Sequence, residues 1–415
     1  MDVPTISRTV FKNCTILNPE SATLEENKTL VVEGGRIQSV SDDSAAPADA
    51  IDASGLTVMP GMIDCHVHVI ASDMNLGRNA LMPNVLVAFR AIPILRGMID
   101  RGFTTVRDAG GADYSLAQAT ETGLVTGPRI FPSGRALSQT GGHGDFRARS
   151  DFIEPCACSQ KIGSIARVVD GVDNVRLAVR EEIQKGATQI KIMASGGVAS
   201  PNDPIHFLGY SEDEIIAIVE EANNAATYVM AHAYTPQAIQ RAVKCGVRTI
   251  EHGNLLDEET ANIMVEHGAF LVPTTVTYDA LVNDGPRYGF PAELMPKIEG
   301  VRSAGLKALV IAHEAGVEMA FGSDLLGKTH DQQANELKIR ADILGNAEAI
   351  RSATTTAAKV LQHEGLLGVI KEGAYADLLF IEGNPLEDIS ALLNQGNRIK
   401  AVMKNGEWVK NELTP

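Results

Sequence analysis

The sequence predicts an α/β fold: a (β/α)8 TIM barrel with a small discontinuous β-sandwich domain formed from both termini. Two observations support this prediction. Short apolar strands alternate with helical segments over roughly 59–362, and β-rich stretches lie at both ends of the chain. Such alternation is typical of parallel α/β folds. At 415 residues, the chain is long enough for one barrel of about 250–300 residues plus a smaller domain.

The middle of the chain contains eight candidate strands, the number that a closed barrel needs. They are 60–66, 103–108, 128–133, 188–193, 228–232, 248–252, 269–272 and 317–322. Helix starts are recognisable between them. Ser211 and Glu214 have the spacing of a capping box, Thr235 precedes a proline at the first helical position, and Asp257 is placed to cap a further helix.

The two ends of the chain are rich in hairpin signals. Gly34-Gly35 separates the alternating runs 30–33 and 36–40, and Asn405-Gly406 separates 399–404 from 407–410. A further strand is predicted over 377–381. We therefore expect residues 1–58 and 363–415 to form one composite sandwich domain and residues 59–362 to form the barrel.

Two connections are longer than a barrel requires. Residues 135–175 follow the third strand and contain His143, and residues 273–298 follow the seventh and contain Tyr278 and Tyr288. Long loops on the catalytic face of a barrel commonly shape the pocket or cover it. Both connections are therefore predicted to determine which substrates fit the pocket.

Candidate metal ligands lie at the ends of the predicted strands. His66 and His68 are two residues apart on the first strand, so both imidazoles point to the same side, although such a pair alone is weak evidence for a metal. Further residues of suitable chemistry follow, each at or near the C-terminal end of a strand: Lys191, His232, His252 and Asp324. A (β/α)8 barrel keeps its active site at that end of its strands. The pattern therefore predicts a metal site.

This set of residues resembles the ligand pattern of the amidohydrolase superfamily in its binuclear-metal form, and the resemblance covers nearly the whole chain. It implies two divalent metal ions, with zinc suited to the ligands and manganese or cobalt also able to bind. It implies that His66, His68 and Asp324 hold one ion and that His232 and His252 hold the other. Lys191 would bridge them as N6-carboxylysine. Asp324 would also transfer protons during catalysis.

Finer motifs resemble one subgroup of this superfamily. The run from Gly141 to Asp145 and the segment His232-Ala233-Tyr234 are similar to those of Xaa-Pro, Xaa-Arg and Xaa-Lys dipeptidases and ochratoxin-hydrolysing amidohydrolases. The resemblance implies a carboxypeptidase-like hydrolase that cleaves the amide bond of dipeptides or N-acyl-amino acids with a metal-bridging hydroxide. Tyr234 would contact the scissile carbonyl oxygen and His143 the substrate. It also implies a homo-oligomer, with an octamer as one form.

Other functions remain open on the same metal centre. A cyclic-amide hydrolase of the imidazolonepropionase or dihydroorotase type is one alternative, and a lactonase, esterase or phosphotriesterase is another. A deaminase is disfavoured because Lys191 is present and no carboxylate follows His232 closely. A non-enzymatic interaction protein that kept the fold is disfavoured because no ligand of the set is missing.

Composition excludes some partners. The net charge of −16 argues against nucleic-acid binding, which needs a basic face. No apolar run approaches the length of a membrane span. We expect a cytoplasmic protein acting on a small-molecule amide, with an exported protein that has lost its leader as the alternative. The five cysteines are few and odd in number, so we do not expect a disulfide framework.

The remaining cysteines and histidines receive simpler interpretations. Cys65 is expected to pack on the face of its strand opposite His66 and His68, and Cys156 and Cys158 are expected to be ordinary loop thiols. Three histidines are predicted at the surface of helices, and two lie in loops that could face the site. The first group is His267, His313 and His363, and the second is His206 and His330.

Overall fold

The structure is a computed structural model, and it describes residues 8–42, 46–147, 161–200 and 202–413. Within these ranges the strands form one mixed sheet of eight strands and two parallel sheets of six and three strands. The strands are β1 (Arg8–Asn18), β2 (Thr23–Glu33), β3 (Arg36–Ser41), β4 (Ile51–Asp52), β5 (Leu56–Pro60), β6 (Met62–Val67), β7 (Phe103–Asp108), β8 (Arg129–Phe131), β9 (Ala136–Ser138), β10 (Ala166–Val168), β11 (Ile190–Met193), β12 (Val229–Ala233), β13 (Thr249–His252), β14 (Phe270–Val272), β15 (Leu378–Glu382), β16 (Ile399–Lys404) and β17 (Glu407–Asn411).

Helices follow most of the parallel strands. They are α1 (Leu76–Ala80), α2 (Asn84–Asp100), α3 (Tyr114–Glu121), α4 (Val172–Gln184), α5 (Glu212–Asn224), α6 (Pro236–Lys244), α7 (Glu258–Glu266), α8 (Thr275–Asn283), α9 (Gly285–Tyr288), α10 (Met295–Ala315), α11 (Asn335–Leu344), α12 (Asn346–Ser352) and α13 (Thr355–Val360). Short 3-10 helices are Ala292–Leu294, Gly327–Gln332, Ile389–Leu392 and Asn394–Gly396.

The eight-stranded sheet combines both ends of the chain. Its order is β17-β16-β15-β5-β1-β2-β3, with β4 beside β1. Both predicted hairpins are confirmed, since Glu33 pairs with Arg36 and Lys404 pairs with Glu407. The two-residue turns need positive φ at both central positions, which Gly34-Gly35 and Asn405-Gly406 adopt.

The two parallel sheets have the orders β6-β7-β8 and β10-β9-β11-β12-β13-β14. Neighbouring strands are in register, so that Met193 pairs with His232 and Ala233 pairs with His252. Because parallel strands in register end at one edge, this pairing brings the C-terminal residues of successive strands together. The α/β class and the parallel middle of the chain are therefore as expected.

The third and eighth predicted strands differ from expectation. The segment 128–133 forms only β8, which pairs with β7, and β9 follows after a short break and pairs with β11. A regular strand over 317–322 is wrong. Met319 forms a single bridge with Leu271, and the Phe321 carbonyl then accepts a hydrogen bond from Cys65 N at 2.8 Å. The segment changes partner after two residues, so no continuous ladder forms.

The helix starts agree closely with the sequence. Ser211 and Glu214 form the capping box, and the side chains of Thr235 and Asp257 accept hydrogen bonds from the first turns of α6 and α7. The expected loop over 273–298 is wrong, because most of it is helical and belongs to α8, α9 and the start of α10. Tyr278 is therefore fixed on a helix.

Packing follows the two sheet systems. One apolar cluster lies between β11–β14 and helices α4–α7, and another joins α2 to the first strands; Ile192 and Leu271 belong to the first cluster and Val106 to the second. An ion pair between Arg129 of β8 and Asp377, whose atoms lie 2.6 Å apart, connects the parallel sheets to the terminal sheet. In the described ranges, no helix combines the length and the apolar character that crossing a membrane demands.

Candidate metal centre

One pocket collects most of the candidate residues at the C-terminal ends of the parallel strands. Its charged and imidazole lining consists of His66, His68, His143, Lys191, His232, His252 and Asp324. Apolar side chains complete it: Leu76, Phe146, Ile165, Met193, Ala199 and Leu326. The six residues predicted as metal ligands thus meet in a single place, although they come from five separate segments of the chain.

Asp324 lies at the centre of this group. Its Oδ1 atom is 3.4 Å from His66 Nε2 and 3.3 Å from His68 Nε2, and its Oδ2 atom is 3.9 Å from His252 Nδ1. Burial raises the pKa of the Asp324 carboxyl, but the neighbouring His66 and His68 outweigh that effect and hold it well below its usual value. Ligand atoms of His66, His252 and Asp324 all lie within 4.8 Å of one another, a spacing that one ion could bridge.

The imidazoles are oriented as metal ligands are. His68 donates from Nδ1 to the Gly110 carbonyl at 2.9 Å, and His232 donates from Nε2 to the Gly196 carbonyl at 3.2 Å. His252 Nδ1 lies 2.8 Å from the Thr274 hydroxyl. Each ring therefore has one nitrogen held by a group outside the ligand set, which leaves its other nitrogen available to a metal ion, as is usual for ligand histidines. In His68 this other nitrogen lies 3.3 Å from Asp324 Oδ1. By this test the residues fit divalent metal ions.

Two of these residues have unusual backbones. His252 has φ of 75° and Asp324 has φ of 50°, values in the left-handed region that non-glycine residues rarely adopt. In a regular strand Glu251 and His252 would point to opposite sides. Here Glu251 contacts His66 at 2.7 Å while the His252 ring lies 5.0 Å from the His66 ring. The left-handed turn at His252 thus directs two consecutive side chains toward the site, and such strain is typical of functional positions.

Lys191 lies in the middle of β11 and is 1% exposed. Burial lowers the pKa of its ammonium to about 8. Among the residues that the structure describes, no carboxylate forms an ion pair with it. An amine in this position is neutral far more often than a surface lysine, which makes it available to react with carbon dioxide.

His143 lies against His232, with the two rings stacked at 4.1 Å between centroids. Its Nδ1 atom is 2.6 Å from the Ser200 hydroxyl and 3.1 Å from Asp203 Oδ2. Lys297 of α10 donates to three carbonyls of the same loop, those of Gly197, Ser200 and Asp203. His143 is thus positioned by a loop that α10 fixes.

Tyr234 follows His232 by two residues and lies beside the pocket, outside its described lining. Its ring centroid is 4.8 Å from that of His232 and 5.3 Å from that of His252. Burial raises the pKa of its phenol, which therefore remains protonated and able to donate a hydrogen bond. The Tyr278 hydroxyl donates to the Tyr234 oxygen at 3.0 Å.

The remaining candidates lie elsewhere. His206, His267 and His313 are exposed. His330 is buried and does not line the described pocket, and its Nε2 donates to the Ala71 carbonyl at 3.1 Å. His363, also expected at the surface, is half-buried, and its ring lies edge-on to that of Phe131.

The cysteines divide in a similar way. Cys65 packs in an apolar cluster with Phe131 and Val272, as expected. Burial raises the pKa of its thiol to about 12, and the side chain does not line the described pocket. Cys156 and Cys158 lie outside the described residues.

Sequence reasoning missed the residues that support the ligands. They are Arg107, Gly110, Glu251, Thr274 and Asp203. Only Glu251 had a usable signal, since a carboxylate directly precedes the predicted ligand His252 in an otherwise uncharged strand end. The others approach the site from different strands and loops, and no local spacing marks them.

Comparison with known proteins identifies the class of molecule that this fold and site define. The chain belongs to the Amidohydrolase family, whose profile matches residues 57–409. It is 32% identical over 402 residues to ochratoxinase of Aspergillus niger, an alignment that covers 92% of this chain and 83% of that protein. The resemblance expected from the ligand pattern is thereby confirmed.

Two solved structures are similar over their whole length. A prolidase complexed with N-methylphosphonate-L-proline is 61% identical, with a TM-score of 0.96 and coverage of 98% of this chain and 100% of that chain. A Xaa-Pro dipeptidase with methionine bound in its active site is 31% identical, with a TM-score of 0.87 and the same coverage. The chain is thus a hydrolase of amide bonds with relatives in the predicted subgroup.

Proposed function

We propose that this chain is a binuclear metal-dependent amidohydrolase that cleaves the amide bond between an acyl or aminoacyl group and a C-terminal amino acid. The observation that supports it most is the convergence of four imidazoles, Lys191 and Asp324 in one pocket with apolar walls. The similarity to a prolidase complexed with N-methylphosphonate-L-proline points to proline in the C-terminal position.

Six residues would hold the metal pair. His66, His68 and Asp324 form one half of the site, and His232 and His252 form the other. Lys191, carboxylated by carbon dioxide, would place one oxygen on each side. Imidazole and carboxylate oxygen suit zinc. Two such ions supply Lewis acidity toward the carbonyl and lower the pKa of water toward neutrality.

The chain's own residues would guide the reaction. Asp324, whose low pKa keeps it ionised, accepts the proton of the attacking water and returns it to the departing amine. Tyr234 donates its phenolic hydrogen to the carbonyl oxygen as negative charge develops there. His143, held by Ser200 and Asp203 and stacked on His232, contacts the substrate from that side of the pocket.

The pocket walls favour substrates with apolar side chains. Leu76, Phe146, Met193 and Leu326 surround the ligands, and no carboxylate besides Asp324 is part of the described lining. Against these described walls, a basic side chain would be desolvated with no carboxylate partner besides Asp324, at a cost of several kcal/mol. Among the dipeptide classes expected from sequence, Xaa-Pro and N-acyl derivatives of apolar amino acids fit better than Xaa-Arg or Xaa-Lys.

A steady-state screen of metal-loaded protein tests this proposal. It compares Xaa-Pro, N-acyl-proline and N-acyl-phenylalanine with Xaa-Arg, Xaa-Lys, cyclic amides and lactones. We expect the first group to give the highest kcat/KM. Faster turnover of a cyclic amide or a lactone than of every linear amide would contradict the assignment, and a preference for Xaa-Arg would contradict the argument from the pocket walls.

The architecture proposed with this function is a closed (β/α)8 barrel over 59–362, with a β-sandwich from 1–58 and 363–415. Support comes from the hydrogen bonds that span the gaps between the parallel sheets. At one gap Thr188 N donates to the Pro132 carbonyl at 2.8 Å. At the other, Ala320 N donates to the Leu271 carbonyl at 2.9 Å, and Cys65 N donates to the Phe321 carbonyl at 2.8 Å. We also propose that the protein is cytoplasmic and that it forms a homo-oligomer. Light scattering tests the second proposal, since a particle of 44.2 kDa, the mass of one chain, would contradict it.

A further inference from the structure

A buried ion pair lies directly behind His66. Arg107 of β7 and Glu251 of β13 are both 0% exposed, and Arg107 Nη2 is 2.9 Å from Glu251 Oε1 and 3.0 Å from Oε2. The same carboxylate accepts a hydrogen bond from His66 Nδ1 at 2.7 Å. A guanidinium, a carboxylate and an imidazole thus form a continuous chain that ends at a candidate metal ligand.

Further hydrogen bonds of this pair fix the backbone beside His66 and the orientation of the Glu251 carboxylate. Arg107 Nε donates to the carbonyl of Cys65 at 2.6 Å, which fixes the backbone next to His66. Thr249 receives a hydrogen bond from Arg107 Nη1 at 3.1 Å and donates to Glu251 Oε1 at 2.6 Å. The carboxylate is therefore held in a single orientation by three groups.

Stability alone gives little reason to keep such a pair. Removing two charges from water costs about as much as their attraction returns, and apolar replacements are often neutral or stabilising. The arrangement has a clear use, however, at a metal site. A carboxylate that accepts the Nδ1 proton of His66 leaves the Nε2 lone pair free, and Nε2 is the atom that lies 3.4 Å from Asp324. A charged acceptor also makes the imidazole a more basic ligand.

His66 differs in this respect from the other ligand histidines. The held nitrogen of His68 donates to the carbonyl of Gly110, that of His232 to the carbonyl of Gly196, and that of His252 contacts the hydroxyl of Thr274. These partners are neutral, whereas the partner of His66 is a buried carboxylate. Among the four ligand histidines of the described site, His66 is therefore the one whose held nitrogen bonds to a charged group.

We propose that Glu251 and Arg107 are positioning residues for the metal centre. Glu251 fixes the tautomer and ring orientation of His66 and strengthens its bond to the metal, and Arg107 holds the Glu251 carboxylate in place through two hydrogen bonds. This inference rests on the proposed metal site, but it assigns a role to two residues that contact neither metal nor substrate.

Metal affinity of the purified chain tests it, with zinc titrated against a competing chelator. Glu251→Gln keeps the size of the side chain and removes its charge. It should weaken zinc binding by about 10–100-fold, the range found for such supporting residues. The matched control is Asp377→Asn, which removes the charge of a carboxylate that is 5% exposed and paired with Arg129 away from the site. It should change zinc affinity by less than about twofold.

A second variant covers the case in which Glu251→Gln does not fold. The double substitution Arg107→Met with Glu251→Leu replaces the whole pair by apolar side chains, which buried pairs commonly tolerate. It should fold and show the same loss of affinity. Zinc binding as tight as that of the unsubstituted chain, in either folded variant, would overturn the inference.

The unsubstituted protein offers a measurement that needs no variant. Nuclear magnetic resonance of metal-free protein labelled at histidine should show a protonated Nδ1 on His66 in a strong hydrogen bond. An Nδ1 without a proton would overturn the inference. If the unsubstituted chain bound no zinc at all, the proposed function would fail instead, so the two failures are distinguishable.

Discussion

The hydroxyl of Tyr278 donates a hydrogen bond to the phenolic oxygen of Tyr234 at 3.0 Å, and both side chains are buried. Since the Tyr234 oxygen is the acceptor here, its own hydrogen is free to point to another acceptor. Tyr278 is fixed on helix α8, so it also restricts where the Tyr234 ring can lie. The pair therefore presents one phenolic donor next to the imidazoles of His232 and His252.

Replacing Tyr234 by phenylalanine should reduce kcat with the preferred dipeptide on the order of 10²-fold, as expected for the loss of one oxyanion donor. KM should change much less, because this contact is strongest in the transition state. Steady-state kinetics measure both values. Tyr114→Phe, at a tyrosine that is 57% exposed, is the control and should be unaffected. Full kcat in Tyr234→Phe would rule out the oxyanion role.

Replacing Tyr278 by phenylalanine should have a smaller effect, about fivefold in kcat, because one neutral hydrogen bond contributes about 1 kcal/mol. The important comparison is the double variant. If Tyr278 acts through Tyr234, then adding Tyr278→Phe to Tyr234→Phe should cost nothing further. Independent, multiplicative losses in the double variant would mean that Tyr278 has a separate role.

Metal-loaded protein should contain about two zinc equivalents per chain, as binuclear hydrolases do. His232→Ala should lower the content toward one equivalent, since it removes a ligand of only one half of the site. Elemental analysis after removal of free metal checks both values. One equivalent in the unsubstituted chain, unchanged by His232→Ala, would contradict the two-metal site.

Lys191→Ala should lose bound metal and reduce kcat/KM by more than about 10²-fold, beyond the 10–100-fold range for residues that only support a ligand. The reason is that a bridging carbamate has no substitute on this strand, where Ile190 and Ile192 flank the position. Lys185→Ala removes a lysine that is 50% exposed at the end of α4 and is the control. A Lys191→Ala protein that keeps both metals and full activity would disprove the bridging role.

The sequence predicted what depends on local patterns. Strand ends at His232 and His252 follow from short apolar runs, and the capping box at Ser211 follows from its own spacing. The ion pair of Arg107 with Glu251 could not be predicted, because it joins strands separated by more than a hundred residues and only the fold brings them together.

The predictions failed where the local sequence pattern did not reflect the structure that forms. Pro286, Gly289 and Pro291 interrupt the helical periodicity and therefore favour a loop over 273–298. In the structure each of them lies at a helix start, at a helix end or between helices. The left-handed backbone of Asp324 was equally invisible, because nothing in the sequence distinguishes an aspartate that adopts positive φ from one that does not.

The free energy of unfolding of the metal-free chain should fall between about pH 6.5 and pH 4 because of His330. Burial lowers the pKa of this imidazole to about 4 from its usual 6.5; the hydrogen bond to Ala71 opposes that effect, and the charge of Arg101 adds to it. A histidine with a depressed pKa in the folded state is protonated only on unfolding in this range. The unfolded state then binds more protons, so stability is present above pH 6.5 and is lost as the pH falls.

The full loss corresponds to about 3.5 kcal/mol, from a shift of roughly 2.5 pH units at about 1.4 kcal/mol each. Urea unfolding in the presence of a chelator, at several pH values, measures it. His330→Gln can still donate to the Ala71 carbonyl but does not titrate, so its stability should depend less on pH and approach or exceed that of the unsubstituted chain near pH 4. His313→Gln, at an exposed histidine, should follow the unsubstituted chain. If His330→Gln also runs parallel to the unsubstituted chain from pH 7 to pH 4, His330 is not the group whose protonation destabilises the fold.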